Sequence, residues 1–191
     1  MIIELRSTSM IITISGDIGS GKSTCGKLLK DQLGYNYLST GDIQRRIAAE
    51  MGITTLELNL LSEHDKSIDK KIDDHTRALA DSDESYIVDS RLAWHFIPTS
   101  YKVFLRCKDD IAAQRIFHDD NRISDEHTES IMQLLDKIKD RRQSEKRRFL
   151  SLYGIDFEDL SNYDQIVDSS FFRPQVIVDF IKDGIKFFGE D

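Results

Sequence analysis

A glycine-rich segment near the N-terminus, residues 16–23, combines the residue types that bind a chain of phosphates. Its sequence GDIGSGKS matches G-x-x-x-x-G-K-[S/T] at every fixed position. Glycines let backbone N–H groups approach phosphate oxygens, because no Cβ stands in the way. Lys22 can reach the β- and γ-phosphates of ATP, and the Ser23 hydroxyl can bind Mg²⁺. The residues predicted to bind ATP are Gly16, Asp17, Ile18, Gly19, Ser20, Gly21, Lys22, Ser23 and Thr24.

Two arginines follow predicted strands farther along the chain. Arg45 ends the stretch TGDIQR at residues 40–45, and Arg91 comes two residues after the strand YIVD. Ligands of open α/β sheets collect at the carboxyl ends of the strands, so both arginines should face the same crevice as the glycine-rich segment. Arginine binds phosphate in a bidentate manner, which favours a second phosphate site over a solvated surface position. The acceptor-binding residues that we predict here are Thr40, Gly41, Asp42, Arg45 and Arg91.

An acidic residue, Asp89, stands at the end of the same YIVD strand. In enzymes with this phosphate-binding loop, an acidic residue at a strand end holds Mg²⁺ or one of its waters. We therefore predict that Ser23 and Asp89 form the metal site.

A third group of charged residues lies in a long predicted helix. Arg141, Glu145 and Arg148 share one helical face through their i, i+4 and i, i+3 spacing. Such a face can close over transferring phosphates and stabilise the charge that spreads over them. An ordinary salt-bridged surface helix has the same composition, and the residues alone leave both interpretations open. Arg115 and Arg122 are further candidates with less support.

The order of elements that must position these residues indicates an α/β fold. Strands alternate with helices, which is typical of a parallel sheet covered by helices on both faces. The predicted strands are residues 10–15, 35–39, 86–89, 101–107 and 165–168. The predicted helices are residues 23–33, 42–51, 54–80, 109–120, 125–152 and 174–188. We expect one domain over residues 1–191, with an inserted helical acceptor region at about 40–80 and a lid at about 115–150.

Composition limits the classes of partner. The 191 residues carry a net charge of −8, so nucleic acid is a poor candidate for the main partner. The two cysteines form no disulfide framework, and the N-terminal segment is too short and polar for a signal peptide or a membrane span. We expect a cytoplasmic protein that does not bind membranes and is monomeric, with a dimer left open.

Several stretches together resemble a known family. They are ISGDIGSGKST, LSTGDIQRR, YIVDSRLAW, and a tail that contains RRQSEKRRFLSLYGID and LSNYDQIVDSS. The combination resembles the cytidylate kinases, especially the compact form common in archaea, over nearly the whole chain from Met10 onward. The tail is more specific than the glycine-rich loop, which many proteins share. The T-G-D-x-x-R stretch is also similar to adenylate kinases, so it supports nucleoside monophosphate kinases as a class before cytidine in particular.

The resemblance implies a P-loop kinase of three α/β/α layers, with a five-stranded parallel sheet of order 2-3-1-4-5. It implies the reaction ATP + (d)CMP → ADP + (d)CDP with Mg²⁺, and a mobile lid. Arg45 and Arg91 would bind the acceptor phosphate, and Arg141 and Arg148 from the lid would act on the phosphates. Glu145, counted with the acceptor-binding residues, would lie near these arginines. The residues expected to act in catalysis are Lys22, Arg91, Arg141 and Arg148.

Two alternatives remain open at this point. A kinase of a small metabolite such as shikimate or gluconate uses the same scaffold, and a nucleotide-binding regulatory protein lacks kinase turnover. A second phosphate site argues against the regulatory protein. Asp69 and Asp73 lie on one helical face and could touch the acceptor ribose or base, but we expect that face to be solvated.

Overall fold

The computed structural model of the chain describes residues 9–119 and 130–188. Within these ranges, five strands form one parallel sheet in the order β2-β3-β1-β4-β5, which confirms the predicted fold. The strands are β1 Ile11–Gly16, β2 Asn36–Ser39, β3 Tyr86–Asp89, β4 Tyr101–Arg106 and β5 Gln165–Asp168.

The central strand β1 is buried along its whole length, as expected for an apolar strand covered on both faces. Its register with β3 pairs Ile12 with Ile87 and Ile14 with Asp89. On the far side of β3, Ser39 of β2 pairs with the same aspartate. The carboxyl ends of these three strands therefore meet at one edge of the sheet, where polar residues replace the apolar ones.

Helices cover both faces of the sheet. They are α1 Lys22–Leu33, α2 Thr40–Met51, α3 Thr55–His64, α4 Lys66–Ala78, α5 Ala93–Phe96, α6 Asp109–Phe117, α7 Ile131–Tyr153 and α8 Pro174–Ile185. Short 3₁₀ turns occupy Leu79–Asp81 and Leu160–Asn162. Helices α1 and α8 pack on the face that carries Ile87, whereas α5 packs on the opposite face beside Val88. In the described ranges, no helix is both long and apolar enough to cross a membrane.

Two predicted boundaries differ from the structure for reasons of helix capping. The stretch that begins at Thr40 was expected as a loop before a helix at 42–51, but it forms the first turn of α2. Its start is set by Ser39, whose side chain accepts a hydrogen bond from the Asp42 N–H. The predicted helix at 54–80 divides into α3 and α4, because Asp65 ends the first helix and caps the second.

The long charged helix is confirmed for the part that the structure describes. Helix α7 begins after Ser130, whose side chain accepts a hydrogen bond from the Gln133 N–H, and continues to Tyr153. The start predicted at residue 125 and the candidate Arg122 lie outside the described residues. Helix α5 is absent from the predictions, since four residues are too few to produce a periodic pattern.

Candidate active site

The glycine-rich loop passes so close to neighbouring backbone that side chains are excluded at two positions. A Cβ on Gly16, where φ is 141°, would lie 2.2 Å from the carbonyl oxygen of Leu105 in β4. A Cβ on Gly19, where φ is 73°, would lie 2.8 Å from the Cβ of Ala112 in α6. The loop is therefore a cradle of backbone between β1 and the N-terminus of α1, which suits phosphate oxygens.

Two side chains of the loop lie where a phosphate ligand would meet them. The ammonium group of Lys22 folds over the loop and donates hydrogen bonds to the carbonyl oxygens of Gly16 at 3.0 Å and Asp17 at 2.7 Å. The buried Ser20 hydroxyl has no hydrogen-bond partner within the described ranges. Buried polar groups are normally paired, so this orphaned hydroxyl is consistent with a polar ligand in the loop.

Two other loop side chains have structural roles instead. The Asp17 carboxylate accepts a hydrogen bond of 2.8 Å from the Cys107 backbone N–H, which ties the loop to the end of β4. Ile18 is buried against Ala112 and its neighbours in α6. If these two residues contact ATP, they do so through their backbone.

The predicted metal pair is brought together at the sheet edge. The Ser23 hydroxyl donates a 2.6 Å hydrogen bond to Oδ2 of the buried Asp89 carboxylate. The same oxygen accepts hydrogen bonds from Tyr37 at 3.2 Å and Ser39 at 3.5 Å, both on β2. Thr40 donates to the Asp89 backbone carbonyl at 3.3 Å. Strand β2 therefore fixes the orientation of the carboxylate, a contribution of Tyr37 that the sequence analysis misses.

Arg91 and Arg141 are joined by one buried carboxylate. Nε of Arg91 donates to Glu145 Oε2 at 2.8 Å, and Nε of Arg141 donates to Oε1 at 3.0 Å. Burial alone would raise the pKa of Glu145, but the two arginines hold it at about 2. Glu145 is thus ionised at neutral pH and fixes a pair of guanidinium groups that come from the β3–α5 loop and from α7.

Arg91 also connects this arginine pair to the glycine-rich loop. Its Nη1 donates a hydrogen bond to the carbonyl oxygen of Gly16. Arg115 reaches the same region from α6 and donates to the carbonyl oxygens of Ser169 at 2.6 Å and Ser170 at 3.2 Å. Arg115 therefore supports the backbone beside the loop.

Arg45 lies at the opposite wall of the site and forms an ion pair with Asp42 one turn earlier in α2. The side chain of Arg45 is about a quarter exposed, so it remains accessible to a ligand. The first turn of α2 brings Thr40 and Gly41 to the same wall. The predicted residues of this stretch therefore all reach the site.

Arg148 lies deeper than the other arginines and is 3% exposed. Its Nη1 donates to Asn59 Oδ1 in α3 at 2.9 Å, and its Nε lies 3.3 Å from Asp69 Oδ2 in α4. The resemblance assigns Arg148 to the phosphates, whereas in the structure its guanidinium group contacts α3 and α4. The buried face of α7 also excludes the surface-helix interpretation for Glu145 and Arg148.

The expectation of a solvated face at Asp69 and Asp73 is wrong. Their exposed fractions are 6% and 9%, because α4 packs this face toward α7. Arg148 lies against the first carboxylate, and the Tyr153 hydroxyl donates a hydrogen bond to the second. Burial raises the pKa of both aspartates, and their partners on α7 oppose that increase.

Helices α3 and α4 each bury one face at i, i+3, i+4, i+7 spacing, and polar residues occupy much of it. On α3 these residues are Thr55, Leu58, Asn59 and Ser62. On α4 they are Asp69, Ile72, Asp73 and Thr76. The sequence contains the i, i+3, i+4, i+7 spacing of a buried helix face, but a search for apolar residues does not detect it because several of these positions are polar. Asn59 is the candidate functional residue that was missed for this reason.

A single cavity of about 830 Å³ unites the groups described so far. The glycine-rich loop and α1 line one end of it. The first turn of α2, the buried face of α4, the β3–α5 loop and α7 line the other end. Apart from Gly16 and Asp17, the predicted donor and acceptor residues thus line one space that is large enough for two substrates.

The sheet order, together with a phosphate-binding loop between β1 and α1, defines a P-loop kinase. Shikimate kinase from Bacteroides thetaiotaomicron has the same fold, with a TM-score of 0.64 and coverage of 93% of this chain and 99% of that chain. Its sequence identity is only 12%, so this similarity concerns the fold alone.

Residues 11–171 match the cytidylate kinase-like family, and the chain belongs to that family. A cytidylate kinase of Methanothrix thermoacetophila is 41% identical over 84% of this chain and 88% of its own length. A cytidylate kinase of Haloarcula marismortui is 35% identical over 95% of this chain and 92% of its own length. The chain is therefore a nucleotide-using phosphotransferase.

Proposed function

We propose that this protein transfers the γ-phosphate of ATP to CMP or dCMP. The observation that carries the proposal is the hydrogen bond from Arg91 to Gly16, which joins a second cluster of arginines to the phosphate-binding loop. Two predicted phosphate sites that line one cavity would suit a kinase whose acceptor is itself a phosphate. The names of the archaeal relatives support cytidine as the nucleoside. One chain supplies both sites, which supports a monomeric enzyme.

The donor side fits ATP and Mg²⁺. The backbone cradle would hold the triphosphate, and Lys22 would move from the loop carbonyls to the β- and γ-phosphates. Ser23 and Asp89 would hold Mg²⁺, with the hydroxyl as a ligand and the carboxylate bound to a coordinated water. Bound there, the ion neutralises charge that develops on the phosphates.

The acceptor side works by positioning and by neutralising charge. Arg45 and Arg91 would bind the acceptor phosphate, and Arg141 would lie between the two phosphate groups. Glu145 holds Arg91 and Arg141 in place before the substrates arrive. The acceptor phosphate is already a nucleophile at neutral pH, so this mechanism requires no general base. A closed lid would exclude water and limit the hydrolysis of ATP.

An acceptor panel tests the proposal. ADP formation from Mg-ATP is measured alone and with AMP, CMP, dCMP, UMP, GMP, TMP, shikimate or gluconate. We expect CMP or dCMP to give the largest stimulation. Stimulation by shikimate or gluconate alone would show a metabolite kinase, and no stimulation by any acceptor would contradict kinase function.

A further inference from the structure

Two buried residues at the junction of α3, α4 and α7 have donor groups that lack hydrogen-bond partners among the described residues. The donors are Nδ2 of Asn59 and Nη2 of Arg148, whereas Nε of Arg148 is paired with Oδ2 of Asp69 at 3.3 Å. Arg148 and Asp69 line the cavity of the candidate active site. Buried polar groups are normally hydrogen-bonded, so unpaired buried donors at a cavity wall point to a polar ligand.

The contacts within this cluster determine which atoms remain to bind the ligand. The Asn59 amide oxygen accepts a hydrogen bond from Arg148 Nη1, so the amide presents its NH₂ group as a donor. Arg148 presents a second donor through Nη2. The Asp69 carboxylate, 3.3 Å from Arg148 Nε, provides acceptor oxygens. Arg148 and Asp69 therefore offer a donor and an acceptor side by side in the cavity wall, and Asn59, which is not among the residues that line the cavity, holds the Arg148 guanidinium.

This pair complements the Watson–Crick edge of cytosine, where the amino donor at N4 lies beside the acceptor N3. We propose that Asp69 and Arg148 read the cytosine of the acceptor nucleotide. Asp69 accepts a hydrogen bond from the 4-amino group, Arg148 donates one to the ring, and Asn59 positions Arg148. The inference rests on the proposed function and names the residues that select its substrate. Uracil has an acceptor at O4 and a donor at N3, and would leave buried groups unpaired.

The surroundings agree with a base at this end of the cavity. Phe149 follows Arg148 in α7 and Ile72 lies one turn beyond Asp69 in α4, and both contribute apolar surface to the cavity wall. Arg141 and Arg148 are seven residues apart on one face of α7, which separates them by about 10 Å along the helix. One face of α7 thus carries both Arg141, which would bind phosphate, and Arg148, which would read the base, at different positions along the helix.

The substitution Asp69→Asn tests the proposed reading of the amino group. The amide is nearly isosteric but can present a donor, which suits O4 of uracil. We expect the ratio of kcat/KM for CMP to that for UMP to fall about tenfold or more, because a hydrogen bond to a charged group is lost. The matched control is Asp74→Asn on the same helix, whose side chain is 57% exposed and paired with Arg77. The control should keep the wild-type ratio.

The outcomes separate the inference from the proposed function. If Asp69→Asn lowers kcat/KM equally for CMP and UMP, Asp69 is only structural and the inference is wrong, while the kinase function stands. Equal kcat/KM for CMP and UMP in the wild type also overturns it. Failure of every nucleotide acceptor in the wild type would instead reject the proposed function.

A second experiment uses the wild-type protein and does not depend on whether the variant folds. The acceptor is the 5′-monophosphate of the pyrimidin-2-one riboside, which lacks the 4-amino group of cytosine. We expect a kcat/KM about tenfold or more below that of CMP, with an unchanged KM for ATP. A kcat/KM equal to that of CMP would show that no group reads the amino group.

Discussion

The donor and acceptor sides of the cavity are built in different ways. The proposed donor side is a continuous stretch, residues 16–23, whose backbone forms a cradle and in which Gly16 and Gly19 have no room for a side chain. The proposed acceptor side is assembled from α2, α3, α4, α7 and the β3–α5 loop, and buried charged side chains join α7 to α3, to α4 and to that loop. On one side the chemistry depends on local conformation, and on the other it depends on tertiary packing.

This difference separates effects on catalysis from effects on stability. The Lys22 ammonium group on the donor side bonds to backbone carbonyls of its own loop, so we expect its removal to change stability little. On the acceptor side, removing Glu145 leaves Arg91 and Arg141 without their shared partner. Breaking a buried ion pair is strongly destabilising. Substitutions on the acceptor side should therefore affect folding as well as turnover.

The largest expected effect is on the donor side. Lys22→Ala should lower kcat by about a thousandfold, because the ammonium group stabilises charge on the transferring phosphate. The midpoint of thermal unfolding should stay near the wild-type value. Steady-state kinetics with CMP and a thermal melt measure both quantities.

The matched control is Lys30→Ala in the last turn of the same helix, where the lysine is exposed and lies outside the cavity. It removes one positive charge and should retain wild-type kinetics. Wild-type turnover in Lys22→Ala would remove the loop from the mechanism. A lowered unfolding midpoint in that variant would contradict the proposed contrast between the two sides.

The second-largest effect is expected on the acceptor side, for the substitution Glu145→Gln. Because Gln cannot neutralise Arg91 and Arg141, the free energy of unfolding at pH 7 should fall by about 3–5 kcal/mol. Urea denaturation of wild type and variant measures the difference. If the two proteins unfold at the same urea concentration with the same slope, the buried carboxylate does not hold the acceptor side together.

The difference in stability between the wild type and Glu145→Gln should also depend on pH. The pKa of Glu145 falls from 4.5 to about 2 on folding, so its contribution to stability is fully present above pH 4.5 and is lost as the pH falls toward 2. The shift corresponds to about 3 kcal/mol. The stability difference between wild type and Glu145→Gln should therefore be constant from pH 7 to pH 5 and shrink below pH 4.5. A difference that stays constant in acid would contradict the depressed pKa.

The same contrast explains how far the sequence could be interpreted. The phosphate-binding loop was predictable because residues 16–23 carry its whole chemistry, and β3 and β5 were placed correctly from short apolar runs with defined ends. The meeting of Ser23 and Asp89 followed from the rule that strand ends share one edge of a parallel sheet.

The acceptor side was less predictable, because burial there depends on packing between distant segments. Asp69 and Asp73 were expected in solvent, and only the position of α7 against α4 shows that they are buried. Asn59 carried no signal by residue type, since an amide in a charged helical stretch is usually exposed. Pairing of Arg148 with α3 and α4 requires the tertiary structure.

The smallest effect concerns the cap of α3, the helix that carries Asn59. Thr54 accepts a hydrogen bond from the Glu57 N–H at 3.2 Å, and the Glu57 carboxylate accepts one from the Thr54 N–H at 2.7 Å. Thr54→Ala removes half of this capping box and should cost about 1 kcal/mol of stability.

Because α3 packs against α2, α4 and α7, which form the acceptor side, we expect this loss to act on one substrate only. Fraying of the first turn of α3 would loosen Asn59 against Arg148, so Thr54→Ala should raise the KM for CMP about two- to fivefold. The KM for ATP should remain unchanged and acts as the internal control. An equal rise in both KM values would show that α3 also supports the donor side. The two sides would then not be structurally independent.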